Sequence, residues 1–146
     1  MSKQELNEPI FKPDFHKSLV KAVGLDNIRL REIDVRLKEI EHLGYYNASV
    51  IWRKGHKGVR NMYLLHPKTS ARVQNGHSRF EYVGAKADKQ QAARERLARF
   101  EEKEQLLQER AAIRQRIEAV KYHLHYAGRL YFGKQLNFAG NGQAEV

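Results

Sequence analysis

The 146-residue chain contains no cysteine. That excludes a disulfide framework, a thiolate zinc site and a cysteine nucleophile. Proline is scarce, with three residues at positions 9, 13 and 67, so long stretches are free of the residue that most strongly interrupts helices. No apolar run approaches the ~20 residues needed to cross a bilayer. The opening Met1-Ser2-Lys3-Gln4-Glu5-Leu6-Asn7-Glu8-Pro9 has no apolar core of a secretory signal. A cytoplasmic protein without membrane association is the expectation.

Catalytic signatures are missing as well. There is no Gly-x-Ser-x-Gly elbow, and Gly55-His56-Lys57-Gly58 lacks the spacing and the following helix of a phosphate-binding loop. Seven histidines raise the question of metal. On a helix, however, His123 and His125 point about 200° apart. His56, His66 and His77 fall in or beside turns with no evident carboxylate partner. Glu101, Glu102 and Glu104 sit among Arg and Lys, which reads as a solvated helix face. The sequence thus predicts no enzyme, no cofactor and no metal site.

What the chain does have is charge. Charged residues make up 30% of it and the net charge is +10. The excess is local: residues 1–52 balance, residues 53–96 carry a net +8, and residues 97–146 carry +2. A basic field concentrated on one segment attracts polyanions, among which phosphate backbones are the commonest.

Periodicity supplies the frame. Residues 1–25 read as an irregular N-terminal arm, in which Ile10, Phe11 and Phe15 are able to dock and 16–23 form a short helical turn ending at Gly24. Asp26 then suits the N-cap of a helix over 26–43. Its apolar stripe is Leu30, Ile33, Leu37, Ile40 and Gly44. Asp34 and Lys38 are spaced as an ion pair on the opposite face.

Residues 45–84 alternate with period two and predict three antiparallel strands. Tyr46, Ala48, Val50, Trp52, Met62, Leu64, Phe80 and Tyr82 are assigned to the face turned toward a covering helix. Tyr45, Asn47, Ser49, Arg53, Asn61, Tyr63, Arg79 and Glu81 are assigned to the outer face. Gly55 and Gly58 permit a tight hairpin, and Asn75-Gly76 marks a turn within the long loop at 68–78.

A second helix is expected over 88–127, on the order of 60 Å long. Its stripe runs Ala93, Leu97, Phe100, Leu107 and shifts phase near Glu104 to Leu106, Ile113, Ile117, Val120, Leu124, Ala127. Few large apolar residues per turn suggest half of a coiled coil, paired with 26–43 and extended enough to serve a homodimer. The aromatic-rich end from Tyr122 to Phe132 would form a terminal cluster against residues 10–25, and 133–146 a flexible tail. The fold class is therefore α+β: a single domain over 26–132 in which a three-stranded antiparallel sheet is inserted between two helices, the second long and coiled-coil-like.

Trp52-Arg53-Lys54-Gly55, then Tyr63-Leu64, then Arg79-Phe80-Glu81-Tyr82-Val83-Gly84 before a charged, Ala-rich helix resembles the arm-type DNA-binding modules at the N-termini of tyrosine recombinases. It also resembles small proteins carried by plasmids and integrative elements. The likeness covers about residues 45–105. It implies a sheet that enters the major groove, with Arg53, Asn61, Tyr63 and Arg79 facing bases. The chain departs from those modules in having a helix before the sheet, a longer loop at 67–78, a far longer following helix and no recombinase domain after it.

The candidate nucleic-acid-binding residues are thus Arg53, Asn61, Tyr63 and Arg79 on the sheet. Lys54, His56, Lys57, Arg60, Lys68, Arg72, Lys86 and Lys89 at its rims are candidates for holding phosphates. The expected function is contact with duplex DNA through this basic face and its turns, in a mobile-element or phage setting. Basic charge and exposed tyrosines suit RNA as well. The alternative is a coiled-coil protein–protein module that inhibits or adapts another enzyme.

Overall fold

The computed structural model describes residues 13–133. Helix α1 spans Pro13–Leu43, followed by strands β1 (Ser49–Lys54) and β2 (Arg60–Leu65). A single helical turn α2 (Ala71–Gln74), strand β3 (Phe80–Gly84) and helix α3 (Ala87–Phe132) complete the order. The architecture is α+β, with an antiparallel sheet of order β1-β2-β3 between two helices. The docking expected of Ile10 and Phe11, and all but the first residue of the tail expected over 133–146, lie outside the described residues.

Two helix boundaries differ from the sequence expectation. The short turn at 16–23 and the separate helix at 26–43 are one helix, which starts at Pro13 and passes through Gly24. A glycine in a helix interior costs about 1 kcal/mol relative to alanine, too little to stop a helix with periodic residues on both sides. Asp26 is consequently no N-cap: its carboxylate accepts two hydrogen bonds from Arg116, at 2.8 and 3.0 Å. Helix α3 likewise continues through Gly128 to Phe132 rather than ending at Ala127.

The fold forms two compact units. One comprises the described residues of Met1–Ile33 and Glu109–Val146, the other Asp34–Gln108. In the first, α1 and α3 run antiparallel. Ile33, Ile113 and Ile117 are buried, and Arg29 clasps Glu109 with both carboxylate oxygens engaged, at 2.8 and 2.9 Å.

The second unit holds the sheet. Met62 and Leu64 on β2 are fully buried and pack with Ala93 of α3, and Tyr46, Ala48, Val83 and Leu97 close around them. Burying such side chains contributes about 1.5–3 kcal/mol each. Ile40 is also fully buried, and Arg36 grips Glu102 as Arg29 grips Glu109, at 2.7 and 2.9 Å. Glu102 therefore belongs to an ion pair, not to a purely solvated face.

Between α1 and β1 the chain must reverse, and Gly44 does so with φ +82°, a left-handed value that favours glycine. Its N–H donates to the Ile40 carbonyl at 2.9 Å and its carbonyl accepts from Arg99 Nε at 2.7 Å. The strand expected from Tyr45 starts only at Ser49. Tyr45 instead lies against Phe100, and its hydroxyl accepts from Lys103 Nζ at 2.7 Å. The Tyr46 N–H donates to the Arg96 carbonyl at 3.1 Å. Tyr45 and Tyr46 tie the sheet to α3 rather than extend it.

Candidate nucleic-acid interface

Strand register decides which side chains share the outer face. Ile51 pairs with Tyr63 and Arg53 with Asn61, while Tyr63 pairs with Tyr82 and Leu65 with Phe80. Facing partners point to the same side of a sheet. The outer face therefore carries Ile51, Arg53, Asn61, Tyr63, Leu65, Phe80 and Tyr82. The inner face carries Val50, Trp52, Met62, Leu64, Glu81 and Val83.

This corrects β3. Phe80 and Tyr82 were expected inside, with Glu81 outside, and the strand is turned the other way. Phe80 and Tyr82 are 40% and 63% exposed. Glu81 points inward because it has a partner there: its Oε2 lies 2.7 Å from Nε2 of His66, a residue only 7% exposed. The edge of Tyr46 closes on the same imidazole, with ring centroids 5.9 Å apart. A carboxylate met by a buried imidazole is satisfied, while the Met62, Leu64 and Ala93 cluster supplies the apolar core of this side. His66 thus has the carboxylate partner that the sequence did not reveal.

On the outer face Arg53 lies over two rings. Its guanidinium carbon is 5.0 Å from the Tyr63 centroid and 4.9 Å from that of Phe80. Tyr63 and Tyr82 pack with centroids 5.2 Å apart at 59°, and the Tyr82 hydroxyl donates to Asn61 Oδ1 at 3.4 Å. Arrangements of a guanidinium over an aromatic face contribute roughly 0.5–1 kcal/mol at exposed sites. Their larger effect here is to fix a cation at the centre of an apolar surface.

The basic rim residues divide between the two ends of the sheet. Lys54 and Arg60 pair with each other beside the β1–β2 turn, where His56 and Lys57 form a 3-10 turn. That turn is a hairpin as expected, but its left-handed residues are Lys57 (φ 56°) and Gly58 (φ 75°). Gly55 has ordinary φ and serves another need, since a side chain there would collide with the Asn61 amide. Gly84 pairs with Met62 at the same end, which places Lys86 and Lys89 after it there too.

Lys68, Arg72 and Arg79 belong to the opposite end, in the β2–β3 connection. Ser70 caps the helical turn by accepting from the Val73 N–H at 3.4 Å. Arg72 Nε donates to the Ser78 carbonyl at 2.9 Å, and Arg79 Nε to the His66 carbonyl at 3.0 Å. Arg79 thus braces the connection instead of standing on the open face. Arg60 is turned to the inner side, its guanidinium 5.2 Å from the Trp52 centroid, with Arg94 of α3 at 5.9 Å from the same ring.

The structure brings together Arg53, Asn61 and Tyr63, as the sequence suggests, and adds Phe80 and Tyr82. Arg94 is a further basic residue that the charge pattern included but the strand reading did not single out. Among the described residues no group of three His, Asp or Glu side chains is arranged to hold a metal ion, and no helix is long and apolar enough to cross a membrane. No protein-family model, no curated protein and no solved structure matches the chain.

Proposed function

We propose that this is a non-enzymatic, cytoplasmic DNA-binding protein that contacts duplex DNA with the outer face of its sheet and with the basic turns at the sheet's two ends. The observation that carries the reading is the placement of Arg53, an exposed cation held over Tyr63 and Phe80, in a segment whose net charge is +8. Phosphate contacts would come from Lys54, His56, Lys57, Lys86 and Lys89 at one end and Lys68 and Arg72 at the other. Arg53 and Asn61 supply side chains suited to base edges. The likeness to recombinase arm modules supports a mobile-element setting.

Fluorescence anisotropy with a labelled duplex tests it. Affinity should fall linearly in log–log terms as salt rises, as counterion release requires. Arg53→Ala should cost about 1–3 kcal/mol of binding. Salt-independent binding, or unchanged affinity in Arg53→Ala, would reject the face.

A second reading has its own support in the first unit. Leu19, Val20, Val23, Ile117, Val120 and Leu124 line a groove of about 370 Å³, and Val20, Leu25 and Ile28 are 72%, 57% and 46% exposed. Exposed apolar surface of this kind suits docking on a second copy or on a partner enzyme. Association that survives several hundred millimolar salt and is lost in Val20→Glu would favour it, with sedimentation velocity separating homodimer from monomer.

A further inference from the structure

We infer that the outer sheet face takes an unpaired stretch of DNA, its bases stacked on Phe80 and Tyr82, in preference to a continuous duplex. This rests on the DNA-binding reading above and names the form of DNA that the face fits. The polar groups at the centre of the face are held in place by its rings. The Tyr82 hydroxyl donates to Asn61, and the Arg53 guanidinium is laid over Tyr63 and Phe80.

Beside that cation the face offers ring surface, most of it on Tyr82, 63% exposed, and less on Phe80, 40% exposed and partly under Arg53. In the major groove of a closed duplex the bases show hydrogen-bonding edges and only the thymine methyl is apolar. Their π-faces are covered by stacking. Bases released from pairing expose those faces and stack on aromatic side chains regardless of sequence.

Position and charge favour the same ligand. Phe80 and Tyr82 sit two residues apart on β3, about 6.6–6.8 Å along the strand, and β3 is an edge strand, open from the side. Lys86 and Lys89 follow one end of β3, while Lys68 and Arg72 precede the other. A strand laid along β3 thus passes from one basic end to the other with two rings between them, the pairing of backbone cations and stacking platforms typical of single-strand grooves. A protein partner without an acidic surface would gain from the rings but not from the net charge of +8 over 53–96. Solvated rings with no ligand would need no basic ends.

The test compares a labelled oligodeoxythymidine of about 15 nucleotides, the corresponding oligouridine and a blunt duplex, with the full chain at matched salt. Single-stranded DNA should bind more tightly than duplex. Tyr82→Ala and Phe80→Ala should each weaken the single-stranded complex about 5- to 100-fold, and Tyr82→Ala, which leaves Arg53 over Tyr63 and Phe80, should change duplex affinity less than about twofold. Tyr82→Trp should restore it. Thermal melts of the variants establish that the exposed substitutions leave the fold intact.

Equal or tighter duplex binding, with both ring variants silent, would overturn the inference and leave the DNA-binding reading standing. Tighter binding to oligouridine would overturn the assignment to DNA. Absence of salt-sensitive binding to all three oligonucleotides would remove the underlying reading itself.

Discussion

Glu81 and His66 show how one pair sets the orientation of a strand. On β3 the residues Phe80, Glu81, Tyr82 and Val83 alternate, and burial preference alone turns the aromatics inward. The observed choice is the reverse because His66, 7% exposed, meets Glu81 at 2.7 Å. Removing the carboxylate leaves a buried ring nitrogen without its partner, which costs about 1–3 kcal/mol. Glu81→Ala should accordingly lower the urea midpoint, with Glu81→Gln, able to keep one hydrogen bond, lying between it and the native protein. The inner residues of β2 were legible in the sequence, since Met62 and Leu64 alternate with Asn61 and Tyr63, which carry polar groups. The face of β3 was not legible, because a five-residue strand carries too few positions and the deciding contact is with His66 on another strand.

Helix ends and helix pairing illustrate the next scale. The stripe Leu30, Ile33, Leu37, Ile40 was readable from spacing, and the two fully buried positions, Ile33 and Ile40, both belong to it. The start of α1 was not readable, because Gly24 looks like a terminator when only local signals are weighed, while the tie between Asp26 and Arg116 joins residues 90 positions apart. At the other end Gly44 carries φ +82°. Gly44→Ala should destabilise by about 1–2 kcal/mol, the cost of a left-handed residue with a Cβ, read as a fall in melting temperature.

The carboxylates that pair the helices give a pH signature. Hydrogen bonds from Arg36 and Arg29, opposed in part by desolvation, hold Glu102 and Glu109 below the usual carboxylate range, and Arg116 does the same for Asp26. Groups whose folded pKa is depressed contribute stability that is present above their unfolded pKa and lost as the pH falls through the folded value. The protein should therefore keep its melting temperature from neutrality down to about pH 5 and lose it progressively below about pH 4. Because these pairs are partly solvent-exposed, high salt should reduce their contribution as well. Glu102→Gln should flatten the acid limb, and an unchanged limb in that variant would show that the helix pair draws nothing from this contact.

For the molecule as a whole, charge and ring surface are separable contributions to one binding event. The excess positive charge is concentrated in residues 53–96, yet the structure distributes its side chains unevenly. Arg72 and Arg79 use their Nε donors inside the β2–β3 connection, and Arg60 is turned toward Trp52. Lys57 and Lys86 are exposed at the same end of the sheet, so they are the better candidates for phosphates. If each neutralises one phosphate, replacing either by Gln should lower the slope of log affinity against log salt by about 0.7 on a single strand and about 0.9 on a duplex. The preference between the two forms should change little, because both carry the same phosphates. Tyr82→Ala should do the opposite, abolishing the preference for an unpaired strand and leaving the salt slope in place, since stacking releases no counterions. Measuring both variants over a salt series on both forms of DNA therefore separates the two contributions. A lysine variant that altered the preference, or a ring variant that altered the slope, would show that the basic ends and the aromatic face do not act on the ligand in these distinct ways.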